Sequence, residues 1–343
     1  MKTLMTTVHQ GIQHINNNSI NNNIYKNFLL TPQNKLNKIE NDSTKHLIPD
    51  QTSLSDILLY KKAPMHLPTI DDSKKQKRQT NDEGQAVFLK VGTLNVASSE
   101  NWQKYIPAMM RERRFDFCCL QRIKMSHRLL TDIGAGNKLF WTGRSNEGVA
   151  IVVCGKYAHK VQDVVKVHDR IIHLKVRTDK HHLLNVFSVY APESERFLDE
   201  KEDFYFQLKD LIVGIDDSEL VVICGDFNGQ VDCDRGHDRG VHLGRTVGEQ
   251  TFEGALLWKF ASEMKLSLAN LCSKKKFESL VTNNVGGDGR VFDYILVPEK
   301  DKRWLKNCFT SKVENDCQHR MVVAILRIEV GTRDRDIRLK SGL

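Results

Sequence analysis

No two of the chain's eight cysteines stand in a C-x-x-C arrangement, and none precedes Cys118. That absence argues against a disulfide framework and against a zinc site. Cys118, Cys119, Cys154 and Cys224 instead sit inside apolar, strand-like runs, where cysteine acts as a small hydrophobe. An intracellular, reducing compartment is expected, nucleus or cytoplasm, with the nucleus preferred. The chain also lacks any apolar stretch long enough for a membrane-spanning helix, so no membrane partner is expected. Met1-Lys2-Thr3-Leu4-Met5-Thr6-Thr7 lacks the apolar core of a secretory signal. Acids are in deficit: 43 Asp and Glu face 51 Lys and Arg, a net charge of +8. That balance favours polyanionic partners and says nothing of the fold.

What is present divides unevenly over 343 residues. Residues 1–85 hold an asparagine-rich tract, Asn16 to Asn23, with no period. Such composition cannot bury enough apolar surface to offset the entropy of ordering, so a disordered leader is expected. Its basic cluster, Lys74-Lys75-Gln76-Lys77-Arg78, reads equally as a nuclear-import or nucleic-acid patch and as a solvated linker. Residues 331–343 form a charged tail without a core face. One domain over 86–330 lies between.

Within it, apolar runs alternate with helical patterns. Val87–Val96, Phe115–Arg122, Gly148–Val153, Ile171–Val176 and Leu183–Pro192 read as strands, with the charged segment Asp163–Arg170 as a separator. Asn101–Arg113 reads as a helix, with Trp102, Ile106, Met109 and Met110 on its core face. A second helix carries acids at Asp199, Glu200, Glu202 and Asp203 near its start, followed by an apolar stripe of Phe204, Leu208, Leu211 and Ile212. A third holds Leu256, Leu257, Phe260 and Met264. Strands outnumber helices and mix with them irregularly. The expected class is α/β, two packed mixed β-sheets flanked by helices.

The run Glu219–Cys224 reads as a strand buried on both faces, and it stops at Gly225-Asp226-Phe227-Asn228. Alternation predicts Asp226 and Asn228 on one side, and Gly225 is expected to permit a turn or a close substrate. A calcium loop starting at Asp226 is excluded, because its sixth and twelfth positions are Val231 and His237. Other strands also end in polar residues: Asn95, Tyr190, Asp293 and His319. A carboxylate and a histidine share acid–base work, and a second carboxylate fixes the histidine's tautomer. Amides and a phenol are neutral donors for phosphate oxygens. A hard cation takes oxygen ligands from the amide and the acid. The inventory fits metal-assisted phosphodiester hydrolysis.

Six motifs in order, Gly92-Thr93-Leu94-Asn95-Val96, Cys118-Cys119-Leu120-Gln121, Ser188-Val189-Tyr190-Ala191-Pro192, Gly225-Asp226-Phe227-Asn228, Phe292–Val297 and Gln318-His319-Arg320, resemble the endonuclease/exonuclease/phosphatase superfamily. Within it the chain is most similar to endonuclease domains of RTE-type non-LTR retrotransposons and to craniofacial development protein 2-like sequences. The resemblance implies a four-layer α/β sandwich and a retrotransposon-derived, divalent-metal-dependent DNA endonuclease. It implies Mg²⁺ or Mn²⁺ held by Asn95, Asp226 and Gln318. Asp226 would position or deprotonate the attacking water, and Asn228 would bind the phosphate. His319, steered by Asp293 and supported by Tyr190, would contact the scissile phosphate.

Three positions depart from the family pattern. Arg122 stands at the metal-ligand glutamate, Gln318 at the usual aspartate, and Asn283 at an aromatic position after Thr282. Two unit charges 4 Å apart interact by about 4 kcal/mol at an effective dielectric near 20, and a divalent ion doubles this. Arg122 should therefore oppose a metal. It could pair with Asp226, or point to solvent while another acid such as Glu147 compensates. The competing function is a catalytically inactive nucleic-acid-binding relic in which Arg122 offers its charge to phosphate.

Overall fold

The apolar run ending at Asn95 forms β1 (Ala86–Asn95), an inner strand of a seven-stranded sheet in a computed structural model of the chain. Residues 86–97, 101–123, 125, 130–143, 147–231, 249–272, 279–284, 289–313 and 317–329 are described. The expected leader, its basic cluster and the charged tail lie outside them. β1 runs parallel to β2 (Phe117–Ile123) and antiparallel to β13 (Met321–Glu329). β5 (Gly148–Val153), β4 (Lys138–Thr142) and β3 (Leu130–Asp132) extend the sheet beyond β2, and β12 (Leu305–Ser311) edges it beyond β13.

A second, six-stranded sheet has the order β10 (Leu266–Leu268), β11 (Asp293–Pro298), β9 (Leu220–Asp226), β8 (Leu183–Tyr190), β7 (Ile171–Arg177), β6 (Val161–His168). The segment read as a charged separator is in fact β6. It is an edge strand with one half-wet face, so its charges fit a strand as well as a loop. Both sheets are mixed, as expected. Leu89, Val91, Phe117 and Ile151 from one meet Leu174, Val186, Val222 and Ile295 from the other in a dry inner layer.

Helices cover the outer faces. α1 (Trp102–Glu112) buries Trp102, Ile106, Met109 and Met110 against Leu94, Cys118 and Leu120 of the seven-stranded sheet. α2 (Gly155–Ala158) is a single turn that instead buries Tyr157 in the layer between the sheets, stacked on Phe117. α3 (Leu198–Val213) and α4 (Phe252–Glu263) pack Phe204, Leu208, Leu257 and Phe260 on the other sheet. Thr251 caps α4, its hydroxyl accepting from the Gly254 N–H at 3.1 Å. The order helix, sheet, sheet, helix is the four-layer sandwich. Among the described residues no helix is long and apolar enough to cross a membrane, and all seven described cysteines are free.

Register sets one end of this sandwich apart. Parallel β8 and β9 deliver Tyr190 beside Asp226, and antiparallel β11 begins at Asp293, opposite Asp226. Parallel β1 and β2 deliver Asn95 beside Gln121. Antiparallel β13 begins two residues after His319. Every polar strand end therefore reaches one rim.

Gly225 serves this packing and not a turn. It lies within β9, and a Cβ there would stand 2.2 Å from the Val189 carbonyl oxygen on β8. The strand pair admits no side chain at that point. Gly225→Ala is expected to cost about 2–3 kcal/mol, the scale of overpacking a close contact, and chemical denaturation would measure it. An unchanged midpoint would show that β8 and β9 can part without loss.

Candidate active site

Asp226 is 1% exposed, and both its oxygens are engaged. Oδ2 accepts from Asn95 Nδ2 at 2.8 Å, a bond that joins the two sheets. Oδ1 accepts from the Asn228 N–H at 2.8 Å. Burial first, and the nearby Asp293 charge second, push the carboxyl up to about 7 against the opposing pull of His319. Asn95 is itself fixed, its Oδ1 accepting from the Ala97 N–H at 2.8 Å.

Strand alternation does not continue to Asn228. The residue adopts φ +48° in a tight turn closed on the Asp226 side chain, a conformation asparagine tolerates better than most residues. Its Nδ2 turns away to the Ala191 carbonyl at 2.7 Å. The expected shared direction of Asp226 and Asn228 is thus replaced by an Asx-type turn.

Across the rim, His319 Nδ1 donates to Asp293 Oδ2 at 2.8 Å and lies 3.9 Å from Asp226 Oδ2. Burial alone would lower the imidazole's pKa. The Asp293 charge and hydrogen bond, with Asp226 behind them, outweigh it and hold the ring up to about 9. Asp293 is fully buried, and its Oδ1 has no hydrogen-bond partner. The Thr282 hydroxyl accepts from the Phe292 and Asp293 N–H groups at 3.0 and 3.2 Å, fixing the start of β11.

Sequence reasoning marked Asn283 only as a departure from an aromatic. Its Nδ2 stands 3.1 Å from His319 Nε2, the ring nitrogen that Asp293 does not hold. A neutral ring accepts that amide proton. A charged ring needs an acceptor, which the carboxamide supplies by turning its oxygen over.

Tyr190 is buried, and its hydroxyl donates to Glu193 Oε1 at 2.7 Å. Burial and that bond raise its pKa strongly. Behind it the buried Arg170 meets Glu147, Glu193 and Glu200 at 2.9, 3.1 and 3.4 Å, and Arg196 also reaches Glu147. Glu147 is thereby committed to two arginines and does not compensate for a missing ligand. This ion cluster is drawn from three separate segments, and no spacing in the sequence announces it.

Arg122 occupies a bulge in β2. Gln121 pairs with Val149 and Ile123 with Gly148, leaving Arg122 as the extra residue at φ +58°. It is half-buried and forms no hydrogen bond or ion pair among the described residues, Asp226 included. Its charge nonetheless reaches the Tyr190 hydroxyl and the His319 ring, drawing both pKa values down. Gln318 is exposed at the outer edge.

The rim thus brings together Asn95, Asp226, Asn228, Asp293 and His319, with Tyr190 and Arg122 beside them. Among the described residues Asp226, Asp293 and His319 present ligand atoms within 4.8 Å of one another, a cluster of the kind that can hold a metal.

A model of the endonuclease/exonuclease/phosphatase family matches residues 92–303. Among solved structures, the endonuclease domain of TRAS1, a telomere-specific non-LTR retrotransposon, aligns at TM-score 0.53 and 15% identity over 71% of this chain and 100% of that one. An AP endonuclease from Archaeoglobus fulgidus aligns at 0.53 and 19% over 69% and 99%. A 3′ phosphatase from Neisseria, bound to product DNA hairpin, aligns at 0.52 and 18% over 69% and 98%. At such identities the likeness speaks for the fold. No curated protein matches the chain.

Proposed function

The chain belongs to the endonuclease/exonuclease/phosphatase family, and from that premise we propose that its rim engages the phosphodiester backbone of nucleic acid. In this reading it is an endonuclease-type phosphodiesterase of retrotransposon descent, its hydrolytic step slowed by Arg122. One observation carries the proposal: two hydrogen-bonded pairs, Asn95 with Asp226 and Asp293 with His319, meet across the seam of the sheets. The structural neighbours, among them a retrotransposon endonuclease and a phosphatase bound to a DNA hairpin, support DNA as the partner and a mobile element as the source.

The roles follow from the contacts. His319, charged and aimed by Asp293, offers positive charge to a phosphate. Asp226 accepts the proton of an attacking water. Asn228 serves as a clamp on Asp226, since its carboxamide is already given to Ala191. Tyr190 braces the rim through Glu193. Phosphate contacts of this kind position a nucleic acid without reading its sequence.

The expected Mg²⁺ or Mn²⁺ does not fit this donor set while Arg122 is present. The two carboxylates are balanced by an imidazolium and a guanidinium, so no residual negative charge remains for a divalent ion. Asn95 and Asp226 already accept hydrogen bonds on the oxygens they would lend, and Gln318 is exposed. Asp293 Oδ1 alone is unengaged.

Nicking of supercoiled plasmid tests the reading. The unaltered chain is expected to retard DNA and to nick it slowly whether or not Mg²⁺ is present. Arg122→Glu should nick about tenfold faster or more, and the gain should vanish with EDTA or with His319→Ala. Rapid nicking by the unaltered chain, undiminished in His319→Ala, would overturn it. A second reading, binding without any hydrolysis, is favoured by Arg122, which meets no carboxylate among the described residues, and predicts that only Arg122→Glu nicks.

A further inference from the structure

Arg122 and Arg170 make an instructive contrast. Arg170 is buried and ringed by three glutamates, as buried guanidinium groups ordinarily are. Arg122 is half-buried at the functional rim, yet it meets no carboxylate among the described residues. The two acids nearest the rim's centre are committed elsewhere, Asp226 to Asn95 and Asn228, Asp293 to His319. A half-desolvated guanidinium that meets no carboxylate among the described residues is suited to an external anion.

The backbone points the same way. A bulge re-aims one side chain of a strand, and here that side chain is the arginine. Its left-handed φ disfavours any residue with a Cβ, and arginine has no special tolerance for it. Glycine or asparagine would sit there with less strain. The neighbouring groups complete an anion's surroundings: the His319 ring and, in contact with its Nε2, the Asn283 carboxamide.

We propose that Arg122 takes over the work of a bound cation, its guanidinium gripping a backbone phosphate of nucleic acid as a bidentate fork, so that the rim binds without a metal. The inference rests on the nucleic-acid reading above and deepens it. A guanidinium presents paired N–H groups in a plane, which match two oxygens of one phosphate. A charge-balanced site has no need of a divalent ion to receive a monoanionic phosphodiester. The phosphate could come from DNA or from RNA, since both carry the same group.

Fluorescence anisotropy with short labelled duplex DNA, single-stranded DNA and RNA of one sequence tests this, each in Mg²⁺ and in EDTA. The unaltered chain should bind equally in both conditions, and the three probes tell which backbone is preferred. Arg122→Gly and Arg122→Asn should bind about tenfold more weakly or worse, the scale of a lost charged hydrogen-bond pair. The slope of log affinity against log salt should fall by about 0.9, one phosphate contact. Their melting temperatures should not drop, because the backbone strain is relieved. A residue kept for structure alone would give the opposite pattern. Arg122→Lys should recover part of the affinity, charge without the fork. Arg122→Glu should bind DNA only in Mg²⁺, and should itself take up Mg²⁺ alone in a calorimetric titration where the unaltered chain does not. Binding by the unaltered chain that requires Mg²⁺, or undiminished binding by both Arg122→Gly and Arg122→Asn, would overturn this inference and leave the nucleic-acid reading standing. Failure of the unaltered, folded chain to bind any of the probes in either condition would end both.

Discussion

Asp293→Ala is expected to lower stability by about 3–5 kcal/mol and to strip the charge from His319 at neutral pH. The magnitude is that of breaking a buried pair and leaving one charge alone. His319 Nδ1 and Asp293 Oδ2 are 2.8 Å apart, with both side chains almost fully buried. Burial is the largest influence on the imidazole and acts to discharge it. The Asp293 charge, its hydrogen bond and then Asp226 reverse that and hold the pKa up to about 9. Without Asp293, burial prevails, and the ring should titrate below its ordinary value of 6.5. Ring-nitrogen NMR across a pH series would follow the titration, and denaturant melts the stability. A ring that still titrated near 9 in the variant would show that Asp293 is not what charges it.

Stability should also fall in two steps as pH rises, and both steps originate at the rim. Asp226 has its folded pKa raised from 3.8 to about 7, by burial first and Asp293 second. The folded state therefore keeps a proton that the unfolded chain has released. This group's contribution is full below about pH 4 and is lost by about pH 7. His319 is raised from 6.5 to about 9, so its contribution is full below 6.5 and is lost as pH climbs through 9. At roughly 1.4 kcal/mol per unit, the two together amount to several kcal/mol. Other carboxylates, such as Glu193 and Asp179, are held below their usual range and act in the opposite sense in acid. The informative quantity is thus the difference between the unaltered chain and Asp226→Asn. That difference should change steeply between about pH 4 and pH 7. A flat difference would place the raised ionisation elsewhere.

Much of this site is legible in the sequence, for a physical reason. Strands β8, β9 and β11 and the second half of β1 are buried on both faces, so their sequences are nearly unbroken apolar runs. A polar residue at the tip of such a run is conspicuous, and Asn95, Tyr190, Asp226 and Asp293 stand out for that reason. Edge strands offered no such contrast. β6 and β12 carry exposed charges and amides along their length, and β3 spans three residues, so periodicity had little to act on. Contacts between distant segments were the least visible. Nothing in the spacing of Glu147, Arg170, Glu193 and Glu200 foretells a shared ion cluster, nor does Lys201 announce its buried bond to Glu253 at 2.7 Å. Asn283 was conspicuous only as a departure, and its contact with His319 needed the register that pairs the two backbones. The turn at Asn228 departs from alternation because the residue stands two positions past the end of β9.

The bond from Asn95 to Asp226 spans the two sheets, with Gln121 bonded to Ser188 behind it at 3.1 Å and the Ser188 hydroxyl bonded to the Leu120 carbonyl at 3.2 Å. The working groups on either side therefore ride on separate slabs, and the filling between the slabs acts as their spacer. Enlarging or shrinking a side chain such as Cys119 or Val222, far from any phosphate, changes the gauge of the jaws, not merely the strength of the hinge. In this architecture the interior doubles as a caliper, and its tolerance to repacking is set by the width of the bite.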